Sequence, residues 1–400
     1  MSRLAIIFLT VFIDLIGFGI VLPLLPFFAG ELGASPAVIG LIVGIHPGMQ
    51  LVFGPIWGRL SDRLGRRPIL LLGLVGSALS YLIFALATNV WWLFLSRAMA
   101  GIAGANVPVA QAYIADSTDL GDRTRGMGLI GAAFGLGFIA GPAIGGVLVE
   151  FGYAVPGFFA AGLSLANAIA AFFYLPESLR HELRDRAVRR VTGLIGRVRL
   201  AIDLVRRASV RWLMAIYALM TFAFSVFTTT FPLWVGADLG YNARHTGYLL
   251  AYFGLLMAMV QGRMIGPLAR RFPERRLLVF GTALLAPAYA LLPLAHTLLL
   301  TGGLLVPLAL GTGITWPTLT SLTSQHSPVD RQGATLGVMQ SLSALARMLG
   351  AAWGGWLFGT FTPAAPYIGN SIVMALAAAV AVLFMIRAPA RPGAAADVVA

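Results

Sequence analysis

The stretch Gly58-Arg59-Leu60-Ser61-Asp62-Arg63-Leu64-Gly65-Arg66-Arg67 separates two long apolar runs, and a weaker copy at Gly266 to Arg276 separates two more about half a chain later. Sliding the chain by 208 residues places Gly54, Gly58, Leu60, Arg63 and Arg67 on Gly262, Gly266, Leu268, Arg271 and Arg275, and Asp122-Arg123 on Asp330-Arg331. With one inserted residue, Gly128, Gly141, Gly145 and Gly146 fall on Gly337, Gly350, Gly354 and Gly355. The repeat implies two halves of the same orientation before any single element is drawn.

The runs between these markers are long enough to cross a bilayer. They lie at about 4–28, 36–58, 69–88, 91–115, 126–149 and 154–175, then 210–235, 243–266, 277–296, 298–322, 333–360 and 364–386. At roughly 20 residues per crossing, twelve helices use about 240 residues and leave about 12 for each connection or tail. The composition agrees: of 400 residues 58% are apolar and 11% charged, where a soluble domain carries about 25% charged residues, and the mean hydropathy is +0.86. The expected fold is an all-α polytopic membrane protein, twelve transmembrane helices in two pseudo-symmetric six-helix bundles. The first bundle is read over 1–175, a linker over 176–209, and the second bundle with a short tail over 210–400. The first run carries Asp14, Pro23 and Pro26 and outlasts the apolar core of a signal peptide, so it is expected to stay in the mature protein.

The basic residues give the orientation. All 28 are arginine, and with twelve crossings both termini share one side. Segments 1–3, 59–68, 116–125, 176–211, 267–276, 323–332 and 387–400 hold 24 of them, against Arg244 alone in the opposite connections. By the positive-inside rule both ends are cytoplasmic, in a plasma (inner) membrane. The net charge of +13 is then a topology signal and not a nucleic-acid footprint. The ten arginines of 176–211, with Leu194, Ile195, Val198, Ile202 and Val205 at helical spacing, read as a basic amphipathic helix along the inner leaflet.

Several chemistries are excluded or disfavoured. Without lysine there is no Walker-type phosphate loop and no Schiff base, and without cysteine no disulfide or thiolate metal site. The histidines at 46, 181, 245, 296 and 326 form no metal pair, and no GxSxG elbow occurs. No enzyme, cofactor, metal or nucleic-acid partner is expected. The run 135–140 matches a loose dinucleotide pattern, but no strand precedes it.

What the polar residues can do depends on depth. Counting from the inner boundary, Asp14 lies roughly 15 Å deep, about mid-membrane, and it is the only carboxylate placed inside a span. A charge there costs about 2.5 to 3.5 kcal/mol unless the group takes up a proton. Arg97, roughly 9 Å from the outer boundary, shares a helical face with Gly101, Gly104, Pro108 and Gln111 and is the expected partner of Asp14. Exchange of Asp14 between an arginine-paired and a protonated state would couple protons to a second solute. Arg347 shares a face with Gln340 and Ser343, and is read either as a substrate ligand or as a brace between halves. His46, Gln50, Gln111, Phe227, Gln261, Trp316, Gln340 and Arg347 are the expected cavity residues, the aromatics serving as packing or as pocket wall.

The loop at Gly58 to Arg67 resembles the GxLaDrxGrkxxl signature of the major facilitator superfamily, whose members repeat it between their eighth and ninth spans, where the copy stands here. The resemblance covers the whole chain and implies that Gly58, Asp62, Arg63, Gly65, Arg66 and Arg67 form a cytoplasmic gate, with Asp116 as partner. Gly137, Gly141, Pro142, Gly145 and Gly146 are similar to the gxxxGPxxGG motif of the family's antiporters, a sign of export. The first half looks like the drug:proton antiporters, particularly their tetracycline-efflux branch. The resemblance implies a functional monomer that exchanges protons for small, largely apolar compounds by alternating access. The alternative is a uniporter or symporter of a sugar or organic anion. Two departures concern the cargo: the acids that tetracycline exporters carry in spans 3 and 9 are absent, Ser80 standing in span 3, and Arg347 replaces a small residue. A neutral or anionic compound therefore fits at least as well as a metal-chelated cation.

Overall fold

A computed structural model of the chain describes residues 3–104, 106–118, 120–179, 208–326 and 332–387. Among the described residues there is no strand, and twelve long helical segments follow one another along the chain. Numbered in chain order they are α1 (Leu4–Glu31), α2 (Pro36–Leu64), α3 (Arg66–Ala85), α4 (Val90–Ser117), α5 (Leu120–Leu148) and α6 (Ala154–Tyr174), then α7 (Ala208–Leu239), α8 (Ala243–Arg271), α9 (Glu274–Leu294), α10 (Leu298–His326), α11 (Gln332–Thr360) and α12 (Ala365–Arg387). Their positions match the twelve apolar runs. The proposed inner-leaflet helix lies in 180–207, and most of the tail in 388–400, both outside the described residues.

The ends and breaks of the helices follow from particular residues. Asn89 caps α4, its Oδ1 accepting from the backbone N–H groups of Trp91 and Trp92. Gly65 separates α2 from α3 at φ +112°, a conformation a side chain would strain. α1 is interrupted by a turn at 22–24 ahead of Pro26, and α4 by a break at Gly104, between Val90–Ala103 and Asn106–Ser117. α8 widens into a π-helical turn at Val260–Met264. Side chains such as Leu299, 88% exposed, and Phe173, 73% exposed, would be liabilities in water. On a membrane bundle they face acyl chains, and the backbone behind them is satisfied within its own helix.

By packing, the chain divides into two compact units, one of Met1–Val191, Ser225–Leu255 and Arg347–Pro363, the other of Thr192–Phe224, Leu256–Ala346 and Ala364–Ala400. In the first, α1 packs on α5 and α6, and α3 on α4 and α6; in the second, α9 packs on α10 and α12. The repeat is visible in details of these contacts. A Cβ on Gly73 of α3 would strike Asn106 of α4, and one on Gly281 of α9 would strike Thr315 of α10. Buried Asn167 of α6 donates its amide to the Thr10 carbonyl of α1 at 2.8 Å, and buried Asn370 of α12 donates to the Ala223 carbonyl of α7 at 2.9 Å. Each half thus ties its last helix to its first with one amide. Truncating either, Asn167→Ala or Asn370→Ala, should lower the unfolding free energy in detergent by about 0.6 to 1.7 kcal/mol. Thermal unfolding of the purified protein checks this, with similar losses expected at the two positions.

Candidate transport site and gate

The mid-membrane acid is held by an amide. Asn106, the first residue after the break in α4, donates from Nδ2 to Asp14 Oδ2 at 3.1 Å. Ser77 of α3 lies alongside. Two buried acceptors remain unpartnered among the described residues, Asp14 Oδ1 and Asn106 Oδ1. An ionised carboxylate can only accept, whereas its acid form supplies the one donor such a pair lacks. Arg97, the expected partner, forms no ion pair with Asp14. It is 3% exposed, bonds the Ser96 hydroxyl at 3.3 Å and leaves its Nε unpartnered. Buried Tyr81, its ring against Gly17, is within electrostatic reach of both Asp14 and Arg97.

A second polar group forms around α2, in the same unit. Arg347 donates from Nη2 to Gln50 Oε1 at 3.0 Å, and Gln50 Nε2 donates to the Gly104 carbonyl, freed by the α4 break, at 3.4 Å. His46, one turn before Gln50, lies with its backbone against Gly101 and within electrostatic reach of Arg97 and Arg347. The Phe18 ring stands 5.4 Å from the His46 ring. His46, Gln50, Gln111 and Arg347 are half-buried, as residues lining an internal cavity would be. Phe227 is not among them: it is buried between Phe231 and Phe253, with ring centroids at 5.0 and 5.4 Å, and serves as packing. In the other unit Trp316 meets Tyr217 edge-on at 5.3 Å, Gln261 is half-buried in the π-helical turn and Gln340 is exposed.

At the arginine-rich end, Arg66 is the hub of the expected gate. Its guanidinium bonds Asp62 at 2.5 Å, Asp116 at 2.9 Å and the Ser61 hydroxyl at 2.8 Å, joining α2, α3 and α4. Arg63 is exposed, and a Cβ on Gly58 would meet open space, so Gly58 provides no close helix approach. Sequence reasoning missed Glu177. Its carboxylate accepts from the backbone N–H groups of Arg66 at 2.9 Å and Arg67 at 3.2 Å, and from those of Ser178 and Leu179, so the strand of chain leaving α6 caps the start of α3. Arg67 holds the same junction from its other side, bonding the Phe172 carbonyl and covering the Phe172 ring. In the second half the repeat puts Glu274 where Arg66 stands. Glu274 accepts from Ser321 and Gln325, both at 2.9 Å, so its side-chain hydrogen-bond partners among the described residues are neutral.

The glycine motif of α5 has two working faces. On one, a Cβ at Gly137 would lie 2.8 Å from Leu15 Cβ, at Gly141 2.6 Å from Gly19 Cα and at Gly145 2.6 Å from the Ile20 carbonyl, so α1 is in backbone contact throughout. On the other, a Cβ on Gly247 of α8 would lie 2.6 Å from the Pro142 carbonyl and 3.0 Å from Gly146 Cα. α11 repeats the arrangement: Gly354 packs on Val226 and Thr230 of α7, while Gly355 and the Ala351 carbonyl meet Gly40 of α2. Gly40 and Gly247 are therefore equivalent members of the motif that its local pattern does not contain.

Two substitutions and one control test this geometry. Gly73→Ala would push Asn106 away from Asp14 and should cost about 1 to 3 kcal/mol of stability, whereas Gly162→Ala, whose methyl meets open space, should cost nothing measurable. Glu177→Ala strips a cap and should cost about 0.5 to 2 kcal/mol. Both are read from thermal unfolding midpoints of the purified chain.

Comparison with known proteins agrees with this architecture. The family model described as Major Facilitator Superfamily matches residues 7–351 and 264–399. A class C tetracycline resistance protein of Escherichia coli is 35% identical over 361 residues, covering 87% of this chain and 88% of its own. Multidrug resistance protein 2 of Bacillus subtilis is 30% identical, covering 87% and 86%. Among solved structures, the human organic anion transporter MFSD10 superposes with a TM-score of 0.71 at 26% identity, covering 94% of this chain and 98% of that one. With its repeated loop, its twelve long helices and these matches along its length, the chain belongs to the major facilitator superfamily of membrane transporters.

Proposed function

We propose that this chain is a proton-coupled antiporter that exports small, largely apolar compounds across the plasma membrane. The observation that carries the coupling is Asp14, the one mid-span carboxylate in the sequence, bonded to Asn106 with an oxygen on each side chain unpartnered among the described residues. A proton on Asp14 adds a donor where the ionised carboxylate offers only acceptors, so its gain or loss changes the bonding of the site. The relatives support export: several are named for tetracycline resistance and one for multidrug resistance.

In this reading the halves 1–175 and 210–400, joined by the linker 176–209, rock about a site near the midplane. The Arg66 cluster with Asp62, Asp116 and Glu177 latches the cytoplasmic side, and both termini are cytoplasmic. The α5–α8 and α2–α11 glycine contacts close the external side. The cargo passes chemically unchanged, and one chain suffices for the cycle.

Inside-out vesicles energised by respiration provide the test. A pH-sensitive dye should report proton release when a transported compound is added, and Asp14→Asn should abolish that release while leaving the protein folded. Proton release that survives in Asp14→Asn would remove Asp14 as carrier. Compound uptake that ignores the pH gradient would replace antiport by facilitated diffusion.

A further inference from the structure

The two halves treat the same loop with opposite charge. Under the 208-residue repeat Asp62 falls on Arg270, Arg66 on Glu274 and Arg67 on Arg275. One contact is kept: Arg67 lies 5.3 Å from the centre of the Phe172 ring of α6, and Arg275 lies 5.2 Å from that of Phe384 of α12. The ion pairing is not kept. In the first half Asp62 and Asp116 neutralise the hub arginine, and Glu177 gathers the backbone around it. In the second, Glu274 is the loop's one carboxylate, and it is turned to Ser321 and Gln325 of α10.

This inversion leaves three arginines at the surface. Arg270 and Arg271 end α8, Arg276 lies in the first turn of α9 beyond the corner Phe272-Pro273, and all three are exposed. None of them forms an ion pair among the described residues. The Arg271 guanidinium lies 5.8 Å from the centre of the Phe272 ring. Phe272 is itself 40% exposed, and Met264, seven residues before Arg271 on α8, is 43% exposed. Cations beside exposed apolar side chains, at the end of a membrane-spanning helix, suit the boundary between headgroups and acyl chains.

The segments of the chain outside the described residues offer these arginines no counter-charge. Residues 180–207 hold nine arginines against three acids, and 327–331 and 388–400 hold one arginine and one acidic side chain each. The arginine-rich side of a membrane protein borders the leaflet that carries anionic phospholipid. We infer that the α8–α9 corner is a docking site for an anionic phospholipid of that leaflet, its phosphate held by Arg270, Arg271 and Arg276 and its acyl chains lying against Phe272 and Met264. Guanidinium groups match phosphate oxygens in two-point geometry. The lipid supplies from outside the charge that Asp62 and Asp116 supply within the first half, and the inference is independent of the exported compound and of the coupling ion.

Thermal unfolding of the purified full-length protein in neutral detergent tests this, with dioleoyl-phosphatidylglycerol or dioleoyl-phosphatidylcholine added at equal mole fraction. Phosphatidylglycerol should raise the midpoint by at least about 3 °C over phosphatidylcholine, as a ligand of the folded state does, and salt at about 1 M should remove most of that rise. The triple variant Arg270→Gln/Arg271→Gln/Arg276→Gln should lose the rise while keeping its midpoint in phosphatidylcholine, which shows that it folds. Each single change should lose part of the rise, so the test does not hang on the triple variant. Arg59→Gln/Arg63→Gln/Arg211→Gln removes the same charge from exposed positions elsewhere and should keep the rise, and inorganic phosphate at the concentration of the lipid should produce none. An equal rise with phosphatidylcholine, or a rise that survives in the variants of the corner, overturns the inference. So does an equal loss in the second triple variant, which would mean diffuse attraction, or the same rise with inorganic phosphate, which would mean a site for a soluble anion.

Discussion

The structure depends on backbone meeting backbone inside the bilayer. Lipid tails are as apolar as leucine, so helices gain little by merely hiding apolar surface from them, and close approach must be made by residues that take up almost no room. The α5 row Gly137, Gly141 and Gly145 lets α1 come to carbonyl contact, and the opposite edge of the same helix receives Gly247 of α8. Gly137 abuts Leu15, the neighbour of Asp14, so the motif sets the depth and rotation at which the acid is presented. The motif associated by resemblance with antiport is, in physical terms, the mount of the Asp14 carboxylate.

The same arrangement shows what the two halves share. α11 lacks the proline of α5, with Ala351 in its place, yet the contact survives because the carbonyl at that position still faces a glycine, here Gly40 of α2. Departures from the repeat concentrate where charge matters. Arg66 gathers two carboxylates in the first half, and its equivalent Glu274 gathers a hydroxyl and an amide in the second. The two repeats therefore hold these helix ends by different kinds of bond, ion pairs in the first and hydrogen bonds from neutral donors in the second.

The architecture was legible because its signals are long and redundant: twelve apolar runs, an arginine bias and a repeat with fixed offset. Around Asp14 and Gln50 the sequence named several of the polar residues the structure brings together, but not their pairing. Depth arithmetic along straight helices brought Arg97 towards Asp14, but α4 breaks at Gly104, and the residue after the break, Asn106, takes the carboxylate instead. Glu177 left no signal, since its partners are backbone amides, which every residue offers. Phe227 looked like a pocket wall because an aromatic cluster at helical spacing reads alike whichever face it turns, and the structure turns it inward. Gly58 belongs to a recognisable motif, yet its neighbourhood is open, so that signature position carries no packing constraint in this geometry.

The break in α4 has a further consequence. Gln50 holds Arg347 with one end of its amide and the freed Gly104 carbonyl with the other, and two residues beyond Gly104 the Asn106 amide holds Asp14. Arg347 and Asp14 are therefore linked through the two sides of one short interruption in a helix. Thermodynamic reciprocity then sets a condition: if protonation of Asp14 shifts the environment of Arg347 through this interruption, any change at Arg347 must shift the proton affinity of Asp14 by the same factor.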